Sequence, residues 1–157
     1  MFEGYVKEVR RQRPGILIGV FAALPMVSAN DIRLQFVEWD RRGCRPDFLR
    51  MDVDPGRRDA LTAAQFTILR NLCDDRGIPL QAVVNAADGL TDAEYCIQAW
   101  AWFQKLKTLG TWDAFIVQSW ASTQPASTGP RTVPHNLPED GDPTSHTSLL
   151  RRVLEAS

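Results

Sequence analysis

The strongest constraint in this sequence is a pattern that recurs four times: a short apolar strand, a polar turn and an amphipathic helix. The expected strands cover residues 15–24, 47–54, 79–87 and 113–120, each rich in branched or aromatic side chains. Helices fill the gaps. Ser28 or Asn30 can cap a helix running to about Arg42, with Ile32, Phe36 and Trp39 on its buried face. Gly43 ends it as a glycine one residue past a helix does. Thr62 opens the next, with Phe66, Leu69, Leu72 and Cys73 at helical spacing, and Gly77 stops it. Thr91 with Glu94 three residues on is a capping box, and that helix runs to about Leu109 before Gly110 closes it. A helix over residues 2–13 precedes the first strand, and one over 145–154 ends the chain. The order is α-(βα)4.

Strand–helix alternation of this kind builds a parallel sheet with right-handed crossovers. The chain is therefore expected to be one α/β domain over residues 1–157. Two architectures fit: half of a (β/α)8 (TIM) barrel, or a small doubly wound parallel sheet. Period-2 alternation favours the first. In the second strand Leu49, Met51 and Val53 share one face, while Arg50, Asp52 and Asp54 share the other. In the third, Leu80, Ala82 and Val84 oppose Gln81, Val83 and Asn85. A doubly wound sheet has helices on both faces, so its central strands are apolar throughout. Here one face is apolar and the other is polar, as the inside and mouth of an enzyme barrel often are. A complete barrel typically needs about 250 residues. The 157 residues present hold four of its eight units.

Composition narrows the function classes. The charges nearly balance, 18 Lys and Arg against 19 Asp and Glu, so there is no electrostatic footprint for nucleic acid or an anionic membrane. The longest apolar run, residues 16–27, is broken by Gly19 and Pro25 and is too short to span a bilayer. Localisation is not encoded in these residues. An extracellular or periplasmic location is expected only of a parent that carries an upstream signal peptide. Cys44, Cys73 and Cys96 are odd in number and widely spaced, which suits buried free thiols rather than disulfides or a zinc site. No metal-ligand spacing, phosphate-binding loop, dinucleotide fingerprint or nucleophile elbow occurs, so no cofactor is expected.

In either architecture ligands bind beyond the C-terminal ends of the strands. That rule selects Asp52 and Asp54 at the second strand, Asn85 and Asp88 at the third, and Gln118 and Trp120 at the fourth. Carboxylates and amides hydrogen-bond hydroxyls, and an indole packs on the C–H face of a sugar ring, so the set suits a carbohydrate. Asp52 and Asp54 point to one side of their strand, with Cα atoms roughly 7 Å apart. Close carboxylates raise one pKa, as a general acid requires, and glycoside hydrolysis uses two carboxyl groups about 5–9.5 Å apart. The structural alternative is that Asp54 with Pro55 and Gly56 makes a turn, while a neighbour such as Arg50 neutralises Asp52. Asp88 with Gly89 is also a turn dipeptide. If Phe115, Val117 and Ser119 line the barrel interior, Gln118 points outward, unless a bend at the strand end reverses it. Trp39, Trp100, Trp102 and Trp112 are expected in packing roles. A Pro-rich loop at about residues 122–145 follows the fourth strand and contributes Glu139 as a third carboxylate able to reach the rim.

The fourth strand (Phe115 to Trp120), the Pro-rich loop with Asn136-Leu137-Pro138-Glu139, and Thr144 and Thr147 entering a final helix together resemble the closing segment of bacterial glycoside-hydrolase-like barrel proteins. The Asp52-Val53-Asp54 strand end is similar to acidic strand ends in several glycosidase barrels. The resemblance implies glycoside or polysaccharide binding, and hydrolysis with Asp52 as acid/base or ligand-orienting carboxylate. It implies a barrel completed by a second copy of the chain or by a missing N-terminal half. It departs at one point: retaining barrel glycosidases often end their seventh strand in a glutamate, where this chain has Asn85.

Overall fold

The computed structural model describes residues 2–87, 90, 92–118 and 146–157. Its elements, in order, are α1 (Phe2–Gln12), β1 (Gly19–Leu24), α2 (Ala29–Arg42), β2 (Phe48–Val53), a 3-10 helix (Pro55–Ala60), α3 (Ala63–Asp74), β3 (Leu80–Val84), α4 (Asp92–Leu109), β4 (Ala114–Val117) and α5 (His146–Ala156). The α-(βα)4 order is the one the sequence implies. The expected Thr91 cap and the Pro-rich loop lie outside the described residues.

Local chemistry sets the helix limits. Ser28 caps α2 by accepting from Asp31 N–H, and the Asp31 carboxylate returns a bond to Ser28 N–H. Gly43 ends α2 in the left-handed region at φ 64°, where a side chain would be strained. Thr62 caps α3 through Gln65 N–H.

The four strands form one parallel sheet in the order β1-β2-β3-β4. A doubly wound sheet reverses its strand order at a switch point. The described strands contain no such reversal, and sequential right-handed crossovers carry the helices to one face. Burial agrees. Ala22, Leu24, Leu49, Met51, Val53, Leu80, Ala82 and Val84 form one core with Phe36 of α2, Phe66 and Leu69 of α3, and Trp102 and Phe103 of α4. Leu49, Met51 and Val53 are at most 2% exposed, and burying each contributes about 1.5–3 kcal/mol. Leu149 and Val153 of α5 join the same core beside α4. On the opposite face Phe21 is exposed, and Phe48, Arg50, Asp52 and Gln81 are half-buried. Trp102 and Trp112 are buried, and Trp39 and Trp100 pack against the core, in the roles expected of them.

β1 starts later than the apolar run suggested. Residues 15–18 have strand-like composition, but β2 begins at Phe48, opposite Gly19. A strand extends only as far as its neighbour offers hydrogen bonds, so Ile16 and Leu17 stay exposed.

The N-terminal ends of the strands are tied by two aspartates in the same way. Asp47, just before β2, accepts from Ile18 N–H (2.8 Å) and from Arg10 of α1 (2.8 Å). Asp113, just before β4, accepts from Leu80 N–H (2.7 Å) and from Arg70 of α3 (2.7 Å). Each carboxylate thus binds one backbone amide at the start of the neighbouring strand and one arginine from a helix. Around the first of them, Val6 of α1 packs on Ile18 and Cys44 in a small separate cluster.

Candidate functional site

Asp52 is the last residue but one of β2, on the face turned away from the helices. The offset that pairs Leu49 with Leu80 and Met51 with Ala82 brings Asn85, the first residue past β3, level with Asp54. Its side chain reaches back one pleat, and Asn85 Nδ2 donates to Asp52 Oδ1 at 2.8 Å. Asn85 is 1% exposed, and its Oδ1 is buried without a hydrogen-bond partner among the described residues. An unmade bond of that kind costs about 1–3 kcal/mol.

Burial raises the Asp52 pKa above the ordinary aspartate value. The Asn85 amide and Val53 N–H oppose that rise, and the charge of Asp54 adds slightly to it. Arg50 does not neutralise Asp52. Its guanidinium donates to Gln81 Oε1 at 3.0 and 3.1 Å and lies over the Phe48 ring at 5.3 Å. Desolvation without an adjacent cation is the arrangement that holds a carboxyl ready to carry a proton.

Asp54 takes the turn role. Its Oδ1 accepts from Gly56 N–H at 2.8 Å and caps the 3-10 helix that Pro55 opens. It still faces the same space as Asp52. Asp52, Asp54, Pro55, Gly56, Asn85, Ala86 and Ala87 line an open cavity of about 360 Å³ at the C-terminal ends of β2 and β3.

The phase of β4 differs from one of the expectations above. Phe115 and Val117 pack on the helix side: the Phe115 ring meets Phe103 edge-on at 4.8 Å and lies 6.4 Å from Trp112. They do not line the opposite face. Gln118, whose N–H donates to Val84 O at 3.0 Å, therefore falls in register on the face that carries Asp52 and Asn85. Tyr95 of α4 donates its hydroxyl to the Gln118 carbonyl and fixes that strand end. Asp88, Trp120 and Glu139 lie outside the described residues. The structure thus brings together Asp52, Asp54 and Asn85 and puts Gln118 on their face.

One rim residue was missed from the sequence. Arg58, in the 3-10 helix after β2, donates to Asn85 O at 2.6 Å and to Gln98 O of α4 at 3.2 Å. It sits in a polar turn with no periodicity, and only the tertiary fold brings its partner 27 residues away into reach.

Among the described residues no group of three or more His, Cys, Asp or Glu side chains is placed to hold a metal ion. The three cysteines are free and buried, and burial pushes the Cys73 thiol up to about 12, which removes it as a nucleophile. No helix among the described residues is long and apolar enough to cross a membrane.

No protein-family model and no curated protein matches the chain. Among solved structures it is similar to N2152 from Neocallimastix frontalis, with a TM-score of 0.50 and 16% identity. The match covers 76% of this chain and 29% of that one, so this chain corresponds to less than a third of its structural neighbour. At that identity the likeness is one of fold: parallel strands alternating with helices.

Proposed function

We propose that the cavity at the ends of β2 and β3 binds a carbohydrate, with Asp52 and Asn85 as the groups that read its hydroxyls. The observation that carries this reading is the Asp52–Asn85 pair: a half-buried carboxylate with no arginine or lysine beside it among the described residues, hydrogen-bonded to a buried amide, at the mouth of a cavity. A sugar hydroxyl donates to a carboxylate oxygen and adds no charge to a desolvated site. Gln118 extends the acceptor and donor set along the same face.

A glycoside-hydrolase-like role is the second reading. The raised pKa of Asp52 favours it, since a general acid must hold its proton near working pH. Asp54 would be the second carboxylate in the cavity. The same reading has the arc of four strands completed to eight, by a second copy of this chain or by a missing N-terminal half-barrel.

Calorimetric titration against a panel of oligosaccharides, with and without Asp52→Ala, tests the proposal. Binding that Asp52→Ala abolishes supports it. Release of reducing ends that stops in Asp52→Asn adds hydrolysis, and binding without release leaves a non-catalytic carbohydrate-binding role. Absence of binding across the panel refutes both readings.

A further inference from the structure

We infer that Arg58 is the positioning residue of this rim: by holding the backbone carbonyl of Asn85 from the loop after β2, it sets the reach of the Asn85 amide to Asp52. The inference rests on the proposed function only in treating Asp52 and Asn85 as the groups that meet a ligand.

The hydrogen-bonding pattern of the sheet stops just short of Asn85. The last rung between β3 and β4 is Gln118 N–H to Val84 O, and the next carbonyl along β3 belongs to Asn85. That carbonyl accepts from Arg58 Nη2 at 2.6 Å. The other arm of the guanidinium, Nη1, donates to Gln98 O at 3.2 Å. One planar group therefore joins three elements: the loop leaving β2, the end of β3 and the first half of α4.

The platform under the guanidinium is tied to the same strand. Arg58 lies over the Trp102 ring at 5.1 Å, and Trp102 Nε1 donates to Val83 O at 3.1 Å. Val83 of β3 and Asn85 just past its end are two residues apart, so indole and guanidinium fix successive carbonyls on one side of the chain. Arg58 is in place because the backbone breaks from helical geometry at Arg57 (φ −133°, ψ 36°), which turns the next residue toward α4.

Packing alone does not account for an arginine here. The guanidinium is half-buried, and burial lowers its pKa. Its Nε is buried without a partner, and no carboxylate pairs with it among the described residues. A desolvated cation with an unmet donor costs stability, and an apolar chain of similar length would cover Trp102 without that cost. What only the forked guanidinium supplies is two donors at fixed geometry, aimed at two carbonyls on different elements.

The test uses the unliganded protein, so it is independent of any sugar. The Asp52 carboxyl is titrated by carbon-13 NMR and the Asn85 side-chain NH2 is followed by nitrogen-15 NMR. In Arg58→Met the Asn85 amide loses its anchored position, its bond to Asp52 weakens, and the Asp52 midpoint moves upward. Arg58→Lys keeps the charge, reaches at most one carbonyl, and gives a smaller shift in the same direction. Lys107→Met removes a cation from another α4 ring, Phe103, at 5.6 Å, and leaves Asp52 unchanged. In an Asn85→Ala background, Arg58→Met adds no further shift, because the effect runs through the amide. Unchanged Asp52 and Asn85 signals in Arg58→Met overturn the inference. So does a shift that persists in Asn85→Ala, which would be a direct effect of charge. Should Arg58→Met fail to fold, the unmodified protein decides: two distinct, exchange-protected Nη signals for Arg58 support the clamp, and one averaged signal refutes it. A protein that shows these shifts but binds no oligosaccharide refutes the proposed function alone.

Discussion

Asp113→Ala tests how the sheet keeps its register. Its carboxylate accepts from Leu80 N–H at the start of β3 and from Arg70 of α3, both at 2.7 Å. Burial works against the ionised form, but the two hydrogen bonds and the arginine charge outweigh it and hold the Asp113 pKa below the ordinary aspartate value. A hydrogen bond to a charged group contributes about 1.5–3 kcal/mol, and a part-buried N–H left unmet costs about 1–3 kcal/mol. The ion pair is worth less than that, because Asp113 is 40% exposed and Arg70 also pairs with Asp74 at 2.7 Å. The loss expected on Asp113→Ala is therefore about 2–3 kcal/mol, and on Asp113→Asn, which keeps an acceptor for Leu80, about 1 kcal/mol. Urea denaturation at pH 7 reads both, with the slope unchanged. The pH dependence has a definite sign. A lowered native pKa means that the stabilisation is complete above the ordinary value of 3.8 and is lost as pH falls through the lower native value. The gap between wild type and Asp113→Ala should narrow over that acid window, toward the part that a neutral acceptor for Leu80 keeps. A loss under about 0.5 kcal/mol at pH 7, or a gap that does not narrow in acid, would refute the role given to this carboxylate.

Two further outcomes follow from burial. The Asp52 pKa is raised in the native state, so the ionised protein is destabilised above it; Asp52→Asn should stabilise the fold at pH 7. That gain should vanish as pH falls through the Asp52 titration, and thermal melting across pH checks it. The Cys73 thiol at about 12 should resist iodoacetamide at pH 8 and react only at the rate of unfolding, which mass spectrometry of the alkylated peptide in graded urea measures. Modification in native buffer at the rate of a free peptide thiol would contradict the assigned burial.

The fold was legible because its signals are local. The caps at Ser28 and Thr62 and the stop at Gly43 need only neighbouring residues, and alternation in β2 separated Leu49, Met51 and Val53 from Arg50 and Asp52. Asp52, Asp54 and Asn85 were legible as polar groups at strand ends, but their partnerships were not. That Asp52 bonds Asn85 and not Arg50 depends on the register between β2 and β3, which no residue in either strand encodes alone. The phase of β4 was ambiguous for the same reason. Alternation allows Phe115 either face, and the rings of Phe103 and Trp112 decide it. Arg58 gave no signal, since a polar arginine in a turn reads as a solvated one until its carbonyl partners are in place.

The two halves of the rim differ in how firmly the backbone holds them. β2 is an inner strand, paired with β1 along its whole length and with β3 from Leu49 to Met51, so Asp52 stands one residue past that second ladder and is paired on the β1 side, opposite Ala23. Asn85 lies just past the last paired residue of β3, held by Arg58 at its carbonyl and by Asp52 at its side-chain amide. Local opening begins where backbone bonds are fewest. Backbone pairing therefore holds the carboxylate of the pair, and side chains hold the amide.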